Sequence, residues 1–277
     1  MSGTIVVGTD GSPSAQLAVE RAVRVAEADG SEVLVVHAYA ESRGAPGSLW
    51  GDEPLDPARQ GRIVLDAARQ AYENVGLTTI LRAGDAAEVL QDAVGRSGAH
   101  LAVVGNRGMG SVRRRLLGSV PHHLSHRQPA DLLIVHSTDG RHDEALTPRS
   151  ALPAYTRVLV GVDATETALR ATHAASELAF ATEAELLIAT VTDGDIDVDH
   201  LDAAAEVARS HGLEPKTHAI VAHDIAAGLC ETAVSHDAQL IVVGNVGMST
   251  TPRLLGGCVP DRVTHGAPCD VLVVRTS

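Results

Sequence analysis

Two repeated α/β domains, each a parallel sheet with helices on both faces, are the fold this chain predicts, and three observations predict it. The chain has 277 residues, long for one compact core and a natural size for two modules of about 130 to 140 residues. Its halves repeat one another from end to end: TIVVGTDGSPSA matches RVLVGVDATETA, SEVLVVHAY matches AELLIATVT, AHLAVVGNRGMG matches AQLIVVGNVGMS, and PADLLIVHS matches PCDVLVVRTS. Within each half, short Val/Leu/Ile runs alternate with Ala-rich stretches in which apolar residues return every three or four positions. Short strands separated by crossovers of helix length form a parallel, three-layer arrangement.

Taken in order, strands are expected near 4–9, 33–39, 77–82, 100–105 and 131–136, then near 157–162, 185–191, 215–221, 239–244 and 270–275. Helical spacing runs through Ala15 to Ala28, Arg59 to Tyr72, Ala168 to Ala181 and Leu201 to Arg209. The apolar content is supplied by Ala, Val and Leu, with one Phe and one Trp, which suits helices lying close on a sheet. These elements give a first domain over 1–138, a linker over 139–154 marked by prolines and mixed charge, and a second domain over 155–277. The halves differ mainly after their second strand, where the first carries ESRGAPGSLWGDEPLDP and the second only DGDIDVDH. A lid over a ligand, a flap against the other half and an aromatic support for a long loop all fit Trp50.

Composition narrows the functional classes. A formal charge of −13 leaves no broad basic surface, so nucleic acid is disfavoured as a partner despite the run Arg113, Arg114 and Arg115. The opening MSGTIVVGTD lacks the basic region and apolar length of a signal peptide, and the apolar runs are too short for a bilayer, so a cytoplasmic protein without a membrane partner is expected. Cys230, Cys258 and Cys269 have neither metal-site spacing nor the pattern of a disulfide framework.

The chemistry concentrates in GNRGMGSVRRRLLGSVP at 105–121, directly after the apolar run LAVV. In a parallel α/β sheet ligands sit beyond the carboxyl ends of the strands, where helix N-termini also point. Gly105, Gly108 and Gly110 permit close backbone approaches there. Ser119 is placed to cap the following helix, with Pro121 in its first turn. A helix start of this kind offers N–H donors and a favourable field to a phosphate. Arg113 to Arg115 either neutralise phosphate charge or form a solvated helical turn. On the same edge lies GTDGSPS, where Ser12 before Pro13 opens a helix. Asp10 there has three readings: acceptor from a base, ligand to a divalent cation such as Mg2+, or an Asx turn that satisfies nearby amides. No GxxxxGK[ST] occurs and GTDGSP is not GxGxxG, which argues against a P-loop ATPase and a dinucleotide dehydrogenase.

At this point the chain resembles a tandem universal stress protein. The nucleotide-binding members of that family carry G-x2-G-x9-G-[ST] after the fourth strand, a pattern met here by Gly105, Gly108, Gly118 and Ser119. The resemblance implies a sheet order of 3-2-1-4-5 and ATP at its carboxyl edge. It places Asp10 and Ala38 against adenine, and Gly105, Gly108, Gly118 and Ser119 along ribose and phosphates. It also implies that the two fifth strands pair within the chain; a homodimer is compatible with that arrangement, and a response through a protein partner, whose identity the sequence does not give, is expected.

The second half departs from the pattern. Gly244, Gly247 and Gly257 keep the spacing, but Cys258 replaces the Ser or Thr. Asp163 persists, Val191 takes the base-contact position, Asp224 is read as the counterpart of Gly84 and a threat to phosphate, and only Arg253 remains of the arginines. Nucleotide is expected in both sites, weaker in the second. The thiol of Cys258 reads either as redox-sensitive at a helix N-terminus or as a small replacement for serine. His122 and His126 share a helix face, but with no third ligand nearby they read as surface cover. His37 is expected to be structural, with one ring nitrogen bonded. No partnered general base is apparent, so ATP binding coupled to a stress response is favoured over catalysis, with slow Mg-dependent hydrolysis and a nucleotide-free scaffold as alternatives.

Overall fold

The computed structural model describes residues 3–41, 56–108, 117–127, 130–137, 154–194, 199–245 and 258–275. The first half runs β1 (Thr4–Gly8), α1 (Pro13–Asp29), β2 (Glu32–Tyr39), α2 (Pro57–Ala71), β3 (Thr78–Ala83), α3 (Ala86–Ser97), β4 (Leu101–Gly105), α4 (Ser119–Arg127) and β5 (Asp131–Val135). The second repeats it as β6 (Arg157–Gly161), α5 (Glu166–Thr182), β7 (Glu185–Thr192), α6 (Asp199–Ser210), β8 (Lys216–Val221), α7 (Ile225–Ser235), β9 (Leu240–Gly244), α8 (Val259–Gly266) and β10 (Asp270–Val274). Every strand lies within one residue of its expected bounds. The interdomain segment from Thr138 and the Trp50 loop fall outside the described residues, except that Ala154 and its neighbours are placed. No helix among the described residues is long and apolar enough to cross a membrane.

Local chemistry fixes the helix ends. Ser12 caps α1 by accepting from the Ala15 amide at 3.3 Å, with Pro13 in the first turn, and Gly30 closes it in the left-handed region at φ 77°. Thr165 repeats the cap on α5, and Asp85 and Asp224 cap α3 and α7.

All ten strands form one sheet in the order β3-β2-β1-β4-β5-β10-β9-β6-β7-β8, so each half reads 3-2-1-4-5 from its outer edge inward. Pairing is parallel throughout each half and antiparallel at the single junction of β5 with β10, where Leu133 stands opposite Leu272. Successive strand residues face opposite sides, and the core divides accordingly. On one face α1, α2, α5 and α6 share a continuous apolar cluster that includes Ile5, Val35, Leu133, Val158, Ile188 and Leu272. On the other, the first half closes its own cluster around Leu124, Leu132 and Ile134, and the second closes a separate one around Val263, Val271 and Val273.

Two carboxylates lock the junction by capping each other's strand. Asp270 of β10 accepts from the His136 amide at 2.9 Å, and Asp131 of β5 accepts from the Arg275 amide at 2.8 Å. Asp270 is the more deeply buried of the two. Its second oxygen takes the Tyr155 hydroxyl at 3.0 Å and the Arg21 Nε at 3.0 Å, while Arg21 also lies over the Tyr155 ring and donates to the Ala154 carbonyl. Burial, reinforced by the Asp270 charge, pushes the Tyr155 hydroxyl well above its ordinary range, so it stays a neutral donor. Burial likewise pushes the Asp131 carboxyl up.

Two outcomes follow from this junction. Asp270→Ala strands Arg21, Tyr155 and the His136 amide together and is expected to cost about 3 kcal/mol in urea unfolding, against about 1 kcal/mol for Asp131→Ala. His136, whose ring faces the Ile134 and Thr264 carbonyls, has its pKa lowered by burial despite the Asp270 charge. The unfolded chain therefore binds its proton more readily, and its contribution to stability is lost as pH falls below the ordinary histidine value of about 6.5. Measured between about pH 7.5 and 5.5, the acid-side fall in stability is expected to be shallower in His136→Gln than in the native chain.

Candidate functional site

β1 delivers its last residues to the carboxyl edge of the sheet. The Thr9 amide continues the ladder to Val36 at 2.9 Å, and Gly11 then turns the chain at φ 84°. Asp10, half-buried, accepts from the Ser12 amide through Oδ1 at 2.9 Å, which realises the Asx-turn reading. Its other oxygen faces the neighbouring loop: a Cβ built on Gly108 would stand 2.7 Å from Asp10 Oδ2. The structure thus brings Asp10 and Gly108 together although they belong to different βα units. Ala38 lies near the end of β2, half-buried and in register with Arg82 of β3.

Gly105 is required by packing. A Cβ there would lie 2.5 Å from Ser14 Oγ and 2.8 Å from the Ser14 backbone, so α1 starts directly against the end of β4. The residue that organises this corner is Asn106, buried at 6% exposure, which the sequence reading passed over. Its side-chain oxygen accepts from Ser14 Oγ at 3.0 Å and from the Ser137 amide and hydroxyl at 3.3 Å, while its carbonyl accepts from the Gly118 amide at 2.9 Å. One residue thereby ties the start of α1 and the end of β5 through its side chain and the approach to α4 through its carbonyl. The signal was present in the repeat, since Asn245 follows Gly244 as Asn106 follows Gly105 and its amide reaches Val274 at 3.1 Å.

At α4 the observed cap differs by one residue from the expectation. The His122 amide bonds to the Gly118 carbonyl at 3.2 Å, so Gly118 holds the cap position and Ser119 is the first helical residue. Gly118 gives its own amide to Asn106, and the Ser119 and Val120 amides lie with the exposed Ser119 residue at the helix's positive end. Pro121 sits in the first turn, where its missing N–H is harmless. Gly110 and Arg113 to Arg115 fall outside the described residues.

In the second half Asp163 repeats the Asx turn, accepting from the Thr165 amide at 3.0 Å and from the Thr165 hydroxyl. A Cβ on Gly244 would lie 3.2 Å from the Thr167 carbonyl, the counterpart of Ser14 against Gly105. Val191 is buried, and a Cβ on Gly228 would meet its Cγ1 at 2.7 Å. Gly247, Gly257 and Arg253 fall outside the described residues. One expectation is corrected. Asp224 is the counterpart of Asp85 rather than of Gly84: it caps α7 through the Ala227 amide at 3.1 Å and pairs with Arg262, and these bonds hold its carboxyl below the usual range. Cys258 occupies the cap position of α8 without a side-chain cap hydrogen bond, and burial pushes its thiol up, which accords with its reading as a small replacement for serine.

His37 is buried beneath α2, with its ring carbon 2.6 Å from a Cβ built on Gly61. Burial lowers its pKa against a bond with the Thr9 backbone, and its Nδ1 has no partner among the described residues. The uncapped α8 yields a direct test: Cys258→Ser supplies the missing cap acceptor and is expected to stabilise the chain by about 1 kcal/mol, read as a raised thermal midpoint.

The comparisons with known proteins agree with the fold and its repeat. The model of the universal stress protein family matches residues 1–136 and again residues 154–275. Universal stress protein Rv2623 of Mycobacterium tuberculosis is 30% identical over 305 residues, which cover 99% of this chain and 96% of that one. A shorter relative from the same organism, Universal stress protein Rv1636, is 35% identical over 144 residues, covering 49% of this chain and 97% of its own. Among solved structures, a universal stress protein from Archaeoglobus fulgidus superposes with a TM-score of 0.75 at 20% identity, covering 100% of this chain and 97% of that one, and so shares the fold. Matched by the family model in both of its halves, the chain belongs to the universal stress protein family.

Proposed function

We propose that the first half binds ATP at the carboxyl edge of its sheet and that the protein acts as a nucleotide-dependent regulator in the cytoplasmic stress response. The observation that carries this reading is the meeting of Asp10 Oδ2 with Gly108 beside the outward-facing start of α4. Asp10 and the Ala38 backbone would hold the base, and Gly105, Gly108, Gly118 and Ser119 would line ribose and phosphates. The amides at the start of α4 suit phosphate oxygens because they are unpaired within the helix and lie at its positive end. With Oδ1 of Asp10 bonded to Ser12, Oδ2 cannot serve both base and Mg2+, so a bound Mg2+ would rest mainly on the phosphates themselves. Fast hydrolysis needs a base for the attacking water and charge around the transferring group. The described edge supplies amides, hydroxyls and one engaged carboxylate, which supports binding over rapid turnover.

In the second half Cys258 offers a poor hydrogen-bond donor where Ser119 offers a hydroxyl, and Val191 fills more of the base position than Ala38. We therefore rank that site as the weaker. One observation favours a nucleotide-free scaffold: Gly105, Gly108 and Gly118 each approach Ser14, Asp10 or Asn106 closely, and so have reasons within the chain.

Calorimetric titration of the full chain with ATP separates the readings. Binding with the tighter site lost in Asp10→Ala is expected. Gly108→Ala is expected to weaken it about tenfold with an unchanged thermal midpoint, because the atom its Cβ meets ends a flexible side chain. Absence of binding at millimolar ATP would favour the scaffold, and steady phosphate release abolished by Asp10→Ala would establish the slow hydrolase.

A further inference from the structure

We propose that His122, Asp261 and His265 form a site for a divalent transition metal of the zinc class, which clasps the two halves across the junction of β5 and β10. One imidazole nitrogen from each histidine and a carboxylate oxygen of Asp261 lie within 4.8 Å of one another. His122 comes from α4 of the first half, and Asp261 and His265 come from α8 of the second. The sequence reading set the histidines of α4 aside for want of a third ligand. The fold supplies that ligand from the other half of the chain.

The donor set selects the metal. Two imidazoles and one carboxylate suit zinc and its neighbours, whereas magnesium and calcium prefer oxygen alone. Bonds of about 2.0–2.2 Å in tetrahedral geometry set ligand atoms roughly 3.4 Å apart, so closing on a metal asks for about 1 Å of side-chain adjustment. His122 and His265 are exposed at the surface, where no core packing opposes an adjustment of that size. Their rings already stand edge to face, with centroids 6.3 Å apart at 71°. The orientation of His265 is also prepared. Its Nδ1 lies 2.7 Å from the Asp261 backbone carbonyl and 3.6 Å from the Asp261 carboxylate, so the ring is already held beside the carboxylate that would share the metal. Three protein ligands leave a fourth position for solvent.

Location gives the site its role. It occupies the face on which the apolar clusters of the two halves stay separate, whereas on the opposite face one cluster spans the junction. The position is also built from the repeat. His122 and Asp261 are equivalent residues of the two halves, following SVP and CVP, and each lies within a turn of the helix start assigned to a nucleotide. The metal proposal stands on the three side chains and does not rest on nucleotide binding.

The test is titration of the full chain, first stripped with a chelator, with Co2+ as a visible probe and Zn2+ as competitor. Uptake of one Co2+ per chain is expected, with the absorption of a low-coordinate nitrogen and oxygen site, displacement by Zn2+, and a thermal midpoint raised by Zn2+. His122→Gln and His265→Gln, both at exposed positions, are each expected to weaken binding by about tenfold or more with unchanged circular dichroism. No stoichiometric uptake, uptake unaffected by both substitutions, or a thiolate-to-cobalt band pointing to the cysteines would each overturn the proposal.

Discussion

The antiparallel pairing of β5 with β10 is the contact on which the rest of the molecule depends. Without it each half presents a bare strand edge formed by its most apolar residues, Leu132 to Val135 in one and Val271 to Val274 in the other, a surface disposed to pair with other chains. With it, ten strands become one sheet and no apolar edge is left at the centre. The exchange of carboxylates at its two ends fixes the register, because a slip would part Asp131 and Asp270 from the amides they cap and turn every strand side chain to the other face. The repeat has diverged at this point. Arg21 and Tyr155 gather on Asp270, while Asp131 takes the Arg275 amide and has the charges of His100, Glu177 and Arg275 around it.

The two faces of the sheet are held by different means. Beneath α1 and α5 the helices of the two halves pack on one another, and small residues such as Ala18, Ala22, Ala171 and Ala175 allow the close approach that the Ala-rich composition foretells. Here apolar burial carries the union of the halves. On the other face α4 and α8 each close over their own half, and alongside the apolar cross-strand pairs of Ile134 with Val271 and Leu132 with Val273 the halves meet through polar groups: the His136 ring against the Thr264 carbonyl, and the group of His122, Asp261 and His265.

Much of this was legible in the sequence. Strands of Val, Leu and Ile bounded by glycine or aspartate announce themselves by composition, and Ser12, Pro13 and Gly30 mark the ends of α1 without ambiguity. The strand order and the pairing of the fifth strands came from resemblance, since periodicity says nothing about neighbours. What escaped the sequence depends on long-range geometry. Asn106 looks like one polar residue in a glycine loop until Ser14, Ser137 and Gly118 are seen around it. Asp224 was misplaced by one position in the repeat, an error that its cap on α7 exposes. Cys258 stands at a cap position in the sequence, but the apolar cluster beside it, whose burial pushes the thiol up, is visible only in the fold. His122 had no visible ligand because its neighbours belong to the other half.

Reversal of direction at one strand pair also determines where the working surfaces lie. All pairs within each half run parallel, so the carboxyl ends of the first half's strands share one rim of the sheet. Across the antiparallel pair that polarity inverts, and the carboxyl ends of the second half's strands emerge at the opposite rim. The chain therefore presents two outward-opening faces back to back, joined by a shared spine.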